Sequence, residues 1–460
     1  MLLKQYYLNC LAQASYLIAD DDTKTAVIVD PRRDIDIYLD DARQLGLTIT
    51  HAILTHFHAD FVAGHIELRD RVGARIALGA NAGADYDFQP LADGENLVLG
   101  PGVHLQALAT PGHTPEAISL LVYDDESDPS QPHAVLTGDT LFIGDVGRPD
   151  LMASVGVTAE ELASSLYDSL QLKLLPLPDD VIVYPGHGAG SLCGRALSSA
   201  TQSTMGEQRL YNYALEPMDK AAFIALVTTD LPAVPDYFSY DADLNRRERP
   251  TIEGALGGSA QPLSLDRLLH AQSSGAQILD VRDSGSFAAA HLAGSINVGL
   301  EGQFASWAGT LLDRETPIVI VAEPGEPEEA ALRLGRIGFD NVSGFLDGGM
   351  AALADRDDLL ARFDRYAPGT LRERLAEKEA ACIVDVRAQA ELQEGKLDDS
   401  LHIPLPVLTN RLSEIPFDRE VILYCAGGYR SPMAASLLLR NGYKRVADLA
   451  GGYGAWAATA

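Results

Sequence analysis

At 460 residues the chain has room for roughly two to four domains, and its 47% hydrophobic content and mean hydropathy of +0.00 are those of a soluble globular protein. A net charge of −30, from 65 acidic against 35 basic residues, repels nucleic acid and anionic membranes and counts against both as partners. No apolar run reaches the ~18 residues of a membrane span, and Met1 to Cys10 lacks the basic start and apolar core of a signal peptide, so a cytoplasmic location is expected.

Residues 1–30 alternate polar and apolar, as in Ala14-Ser15-Tyr16-Leu17-Ile18-Ala19, and predict paired strands. Ile35, Leu39, Ala42 and Leu45 recur at helical spacing until Gly46, and Ile49 to Leu54 reads as a buried strand. That strand runs into Thr55-His56-Phe57-His58-Ala59-Asp60-Phe61. Two imidazoles and a carboxylate thus emerge together where a strand becomes a loop, and neutral imidazole is the commonest protein ligand for zinc and iron. One His-x-His proves little, but three further pieces follow in order: Thr110-Pro111-Gly112-His113, Thr137-Gly138-Asp139-Thr140 and Tyr184-Pro185-Gly186-His187, each after an apolar strand-like run. Between and beyond them, 65–71, 162–174 and 221–227 read as helices.

From Pro232 to Pro262 the chain becomes rich in Pro, Asp, Arg and Gly, which predicts a linker and a domain boundary near 250. An internal repeat fills the remainder. Ile278-Leu279-Asp280-Val281-Arg282 returns 105 residues later as Ile383-Val384-Asp385-Val386-Arg387, and Asp347-Gly348-Gly349 is echoed by Ala450-Gly451-Gly452. Two compact α/β domains with parallel sheets are expected, over 262–355 and 366–460.

In the second copy the apolar strand Glu420 to Tyr424 ends in Cys425-Ala426-Gly427-Gly428-Tyr429-Arg430-Ser431, ahead of a helix. A cysteine opening a tight loop at a helix N-terminus is surrounded by backbone N–H groups, which favours thiolate and would cradle a persulfide sulfur. Arg430 can add positive charge or anchor the loop. The first copy has Val321-Ala322-Glu323-Pro324 at the corresponding place, with no thiol and with Glu323 and Glu326 to repel an anionic sulfur donor. Cys10 and Cys382 fall in strand-like stretches and read as core thiols, whereas Cys193, six residues beyond His187, is within reach of the histidine cluster.

The four pieces together resemble the metallo-β-lactamase superfamily over about the first half of the chain, and each repeat copy resembles the rhodanese domain. The resemblance implies an αββα sandwich over 1–250, including the linker from about 232, then two α/β domains, the first inactive. Hydrolases of the superfamily commonly hold two zinc ions with H-x-H-x-D-H; Phe61 stands at the final position, so a mononuclear site is expected. The C-x-x-G-x-R form of Cys425 to Arg430 is similar to active rhodaneses; Cys-phosphatases place five residues between Cys and Arg, against four here.

The whole chain resembles the persulfide dioxygenase–rhodanese fusions. That implies one Fe(II) per chain on His56, His113 and Asp139, with His58, Asp60 and His187 beside the metal in positioning roles. Arg148, in Gly147-Arg148-Pro149-Asp150, resembles a substrate-side arginine, and Cys193 is a second substrate-side candidate. The implied partners are a low-molecular-weight thiol persulfide, O₂, sulfite and thiosulfate, with Cys425 carrying sulfane sulfur. Glutathione-using relatives often carry Tyr shortly after Tyr-Pro-x-His, where Gly188 to Cys193 follows here, so the thiol is left unnamed. The sequence also leaves open a homo-oligomer, the direction of sulfur transfer, a zinc thioester hydrolase of the glyoxalase II type with rhodanese appendages, and a non-enzymatic sulfur-relay scaffold.

Overall fold

The alternation at the start of the chain becomes a sheet. In the computed structural model, Leu2–Leu8, Gln13–Ala19 and Thr25–Val29 pair antiparallel, and Thr48–Ile53, Arg75–Gly79 and Gln89–Leu91 extend them in parallel to six strands. A second sheet of six joins Asn96–Gly100, Val103–Ala109, Ile118–Asp124, Ala134–Gly138, Ile182–Pro185 and Ser203–Thr204 in that order. The residues described are 1–151, 156–195, 197–229, 231, 234–235, 237–257, 261–376 and 381–459. They divide into two units, Met1–Gly254 with Gly335–Gly338, and Ala255–Leu334 with Phe339–Ala460.

Successive side chains on a strand point to opposite faces, so each sheet has two apolar faces to cover. The inner faces meet through Tyr16, Ile18, Val27 and Val29 against Leu105, Ala107, Leu120 and Leu136. On the outer face of the first sheet, Leu17, Ile28 and Ala52 pack under the helices Asp36–Leu45 and His65–Val72, through Tyr38, Ala42 and Leu68. Leu121, Val135 and Val183 of the second sheet pack under Ala159–Ser169 and Lys220–Thr228, through Ala163, Leu166 and Phe223. Each such side chain contributes about 1.5 to 3 kcal/mol when fully buried. The result is the αββα sandwich that the sequence implies.

The stretch read as a linker is not one. Among its described residues, Tyr237–Arg246 and Ile252–Leu256 are helical, with Phe238, Asn245, Arg249 and Ile252 buried. Its charge misleads because Arg249 is paired, its guanidinium forked on buried Glu67 at 2.7 and 2.9 Å. Cys10 also departs from expectation: it lies in the turn between the first two strands, half-buried, whereas Cys382 is in the strand Ala381–Asp385.

In the second unit the repeat is explicit. One five-stranded parallel sheet has the order Pro262–Leu263, Val342–Leu346, Ile318–Val321, Gln277–Asp280, Ile296–Asn297. The other has Asp364–Tyr366, Val446–Leu449, Glu420–Tyr424, Ala381–Asp385, Leu401–His402, the same order element for element. Each copy buries an Asp–Arg pair at its repeated Asp-x-Arg, Asp280 with Arg282 and Asp385 with Arg387. Among the described residues no helix is long and apolar enough to cross a membrane.

The strand register settles the alignment of the loops: Asp280 pairs with Val321 and Asp385 with Tyr424, so Ala322 is the counterpart of Cys425. A Cβ on Gly349 would meet the carbonyl of Ala322 at 2.7 Å, and one on Gly452 those of Cys425 and Ala426 at 2.3 and 2.6 Å. Both glycines have positive φ, +54° and +60°, and Tyr453 N–H donates to the Cys425 carbonyl at 2.7 Å. Gly452→Ala and Gly349→Ala are each expected to cost at least about 2 kcal/mol in denaturant unfolding. An unchanged midpoint would show that the loops are not held this way.

Candidate functional site

Val103–Ala109, Ala134–Gly138 and Ile182–Pro185 run in one direction, so the segments carrying His113, Asp139 and His187 leave one edge of the second sheet. Ile118 N–H donates to the Thr55 carbonyl at 2.8 Å and brings the His56 loop of the first sheet to that edge. Close approach there requires glycine: a Cβ on Gly186 would stand 2.5 Å from Asp139 Oδ1.

The first sheet orients His56 through a residue the sequence reading missed. Asp30 follows Thr25–Val29 with φ of +51°, a conformation few non-glycine residues adopt. Its carboxylate accepts from Thr55 N–H and Thr55 Oγ1–H, each at 2.8 Å, and stands 3.0 Å from His58 Nε2. With its one proton given to Asp30, Thr55 Oγ1 accepts from His56 Nδ1 at 2.9 Å. That fixes the tautomer and leaves His56 Nε2 buried with no hydrogen-bond partner. His113 is fixed likewise, Nδ1 donating to the Arg148 carbonyl at 2.8 Å. The two Nε2 atoms lie 3.8 and 3.5 Å from Asp139 Oδ2, beyond hydrogen-bond length and close to the spacing of neighbouring donors around one ion.

Protonation states agree with this spacing. Burial pushes His56 and His113 below the ordinary imidazole range, so both are neutral and able to ligate. Burial works against an ionised Asp139, yet the His187 imidazolium hydrogen-bonded to it outweighs burial and holds the carboxyl well below its usual range. The residues fit a divalent ion that takes two imidazoles and one carboxylate.

A second trio, Asp60, His187 and Cys193, is also close and buried. Its protonation is opposite. Burial would lower His187, but the carboxylates of Asp139 and Asp60 raise it well above the imidazole range. Nδ1 donates to Asp139 Oδ1 at 2.8 Å, and Nε2 stands 2.8 Å from Asp60 Oδ2 at ion-pair distance, off the line of a hydrogen bond. Burial, then Asp60 and Asp139, push the Cys193 thiol well up. Asp60, His187 and Asp139 thus form a buried line of paired charges beside the metal set. Phe61 packs on His58 with ring centroids 4.4 Å apart, filling its place with apolar surface.

Arg148, the substrate-side candidate, is buried and paired. It is 2% exposed, with Nε and Nη2 on the two oxygens of Asp150 at 2.7 Å each. Its N–H also donates to the Cys193 carbonyl at 2.9 Å, so it braces that loop.

In the second unit Cys425 is buried, and its sulfur accepts from Gly428 N–H at 3.1 Å. Ser431 Oγ stands 3.7 Å from the sulfur and donates to Asp448 Oδ2 at 2.9 Å. Arg365 in turn holds both oxygens of Asp448 at 2.8 and 3.0 Å. Arg430 is forked on Glu391 at 2.6 and 2.7 Å, which anchors the loop and offsets much of its charge. The metal set and the thiol loop are therefore two separate chemical centres, one in each unit.

Residues 8–187 match the model of the metallo-beta-lactamase superfamily, and 264–356 and 367–459 each match the rhodanese-like domain. The chain is similar to the mitochondrial persulfide dioxygenase ETHE1 of Bos taurus, 29% identical over 218 residues, 46% of this chain and 75% of that protein. Over 88 residues, 19% of this chain and 82% of the relative, it is 44% identical to a sulfurtransferase of Allochromatium vinosum. Hydroxyacylglutathione hydrolases match the first unit as well. A crystal structure of a metallo-beta-lactamase from Staphylococcus aureus subsp. aureus COL superposes with TM-score 0.67 at 30% identity, covering 75% of this chain and 98% of that one.

Thr55→Val removes the hydroxyl that orients His56 at nearly constant volume. It is expected to weaken divalent-metal affinity about 10- to 100-fold in chelator competition, the usual effect of losing a group that supports a ligand. Affinity equal to wild type would show that the His56 tautomer is set elsewhere.

Proposed function

Because the chain belongs to the metallo-β-lactamase superfamily through its first unit and carries two rhodanese-like domains in its second, we propose that it is an iron-dependent persulfide dioxygenase coupled to a sulfurtransferase. The observation that carries the proposal is geometric: the Nε2 atoms of His56 and His113 converge within 3.8 and 3.5 Å of Asp139 Oδ2, while both Nδ1 atoms are engaged by Thr55 and the Arg148 carbonyl. Fe(II) on those three residues would supply a Lewis-acidic, redox-active centre with open positions for a persulfide and O₂. The balance is RSSH + O₂ + H₂O → RSH + SO₃²⁻ + 2H⁺. Thr55 and the Arg148 carbonyl hold the two imidazoles, and His187 neutralises the side of Asp139 turned away from the set.

At the second centre Cys425 would carry sulfane sulfur and release it to sulfite, Cys-S-S⁻ + SO₃²⁻ → Cys-S⁻ + S₂O₃²⁻. Gly428 N–H faces the sulfur, and Ser431 Oγ, at 3.7 Å, can turn its proton from Asp448 toward the thiolate left behind. A second reading, a zinc thioester hydrolase, is favoured by the matching hydroxyacylglutathione hydrolases; Phe61, in place of a usual second-site histidine, weighs against it.

Purified protein is expected to hold about one iron per chain and to consume O₂ with a persulfide. His113→Ala should lose both while keeping thiosulfate:thiol sulfurtransfer; firmly bound zinc without O₂ uptake would favour the hydrolase. Since both centres are on one polypeptide, Cys425 would meet sulfite at raised effective concentration wherever the chain between them lets the two approach. Thiosulfate should therefore dominate in the wild type and sulfite in Cys425→Ser. Equal ratios of the two anions would show that the centres are joined without being coupled.

A further inference from the structure

The helix Tyr237–Arg246, in the stretch that reads as a linker and beyond the residues matched by the superfamily model, carries Asn245 near its C-terminal end, fully buried. Asn245 Nδ2 donates to the carbonyls of His58 and Phe61, both at 2.8 Å, and Oδ1 accepts from Ala63 N–H at 2.8 Å. One side chain thus satisfies three backbone groups of the loop that bears His56, His58 and Asp60. Asparagine suits this task because its amide offers two donors and an acceptor in one plane. Aspartate would keep the Ala63 contact and turn a carboxylate oxygen on two carbonyls.

The helix is itself fixed against the loop. Tyr86 O–H donates to the Asn245 carbonyl at 2.6 Å, and Arg249 holds Glu67 and the Ala63 carbonyl. From the clamped loop the contacts continue to the metal set: Asp60 stands 2.8 Å from His187 Nε2, and His187 Nδ1 donates to Asp139, one of the three ligands. The His58 ring also packs on that of His56, with centroids 4.2 Å apart.

We infer that Asn245 is a positioning residue for the metal centre, acting through the backbone of residues 58–63. The inference rests on His56, His113 and Asp139 being a metal site. It extends the functional part of the domain to a helix that a match ending at residue 187 leaves out. Leaving three buried backbone groups unpaired is unfavourable, and the loop moves to recover hydrogen bonds. The metal set loosens with it.

The test uses the full chain and Co(II) alone as probe, with affinity read by competition against a chromogenic chelator and thermal stability measured in parallel. Phe238→Leu, on the same helix and 1% exposed, controls for loosening of the helix as such. Asn245→Ala and Asn245→Asp are expected to weaken Co(II) about 10- to 100-fold, and Phe238→Leu less than about threefold even where the melting temperature falls equally. Asn245→Asp conserves size and keeps the readout if the alanine variant does not fold. Wild-type affinity in both Asn245 variants, or losses that track melting temperature across all three, would overturn the inference and leave the metal site standing. Failure of the wild type to bind Co(II) would overturn the metal-site reading together with this one.

Discussion

Asp139 is a carboxylate 2% exposed among three imidazoles, and the first unit is arranged to tolerate it. An isolated buried anion costs several kcal/mol, so each of its oxygens needs a partner. The His187 imidazolium serves both, Nδ1 standing 2.8 Å from Oδ1 and 3.0 Å from Oδ2, and Oδ2 also faces the Nε2 atoms of His56 and His113. Those two imidazoles and the carboxylate stand close enough to share one cation. This constraint explains why His56 and His113 spend their Nδ1–H groups on Thr55 and the Arg148 carbonyl, and why Asp30 adopts a strained backbone to hold Thr55. Strain of this kind persists where surrounding structure over-determines it, and Asp30 has partners in Thr55, His58 and Ile53.

Much of this was legible in the sequence because strands carry a strong signal. The alternation in 13–19 and the apolar runs before Thr55, Thr110, Thr137 and Tyr184 located both sheets and the edge where the ligands gather, and the repeat of Asp-x-Arg located the two copies. What stayed hidden depends on partners far away in the chain. Arg249 reads as a solvated linker charge until Glu67, 182 residues earlier, is placed against it. Asn245 falls in the stretch read as a linker, and nothing local marks that its amide lies on His58 and Phe61. Arg148 reads as a ligand for a substrate carboxylate, and the sequence does not show that Asp150, two residues on, holds two of its three guanidinium nitrogens. In each case the residue type was correct for a polar role and only the geometry could say which.

The two copies of the second unit separate fold from chemistry. Both keep the five-strand order, the buried Asp–Arg pair and the glycine that lets the chain pass a loop carbonyl. They differ at one atom that matters, the sulfur of Cys425 against the methyl of Ala322, and in what lies behind it. Behind Cys425 stand Ser431, Asp448 and Arg365, whereas Ala322 leads into Glu323 and the proline-bounded turn before the helix Pro327–Arg336.

The degenerate copy nevertheless touches the active loop directly. Tyr429 O–H, from the loop itself, donates to the Gly299 carbonyl of the first copy at 2.9 Å, and Arg365 Nη1 donates to Ser284 Oγ at 2.7 Å. Arg365 also reaches the Gly428 carbonyl at 3.1 Å, so one guanidinium links the loop that faces the sulfur, the Asp448 behind it and the first copy. Without the first copy, Tyr429 and Arg365 would each lose a partner while the loop between them still has to stay tight enough to aim Gly428 N–H at the sulfur. The copy with Ala322 in place of Cys425 is thus tied to the Cys425 loop by hydrogen bonds at both Tyr429 and Arg365.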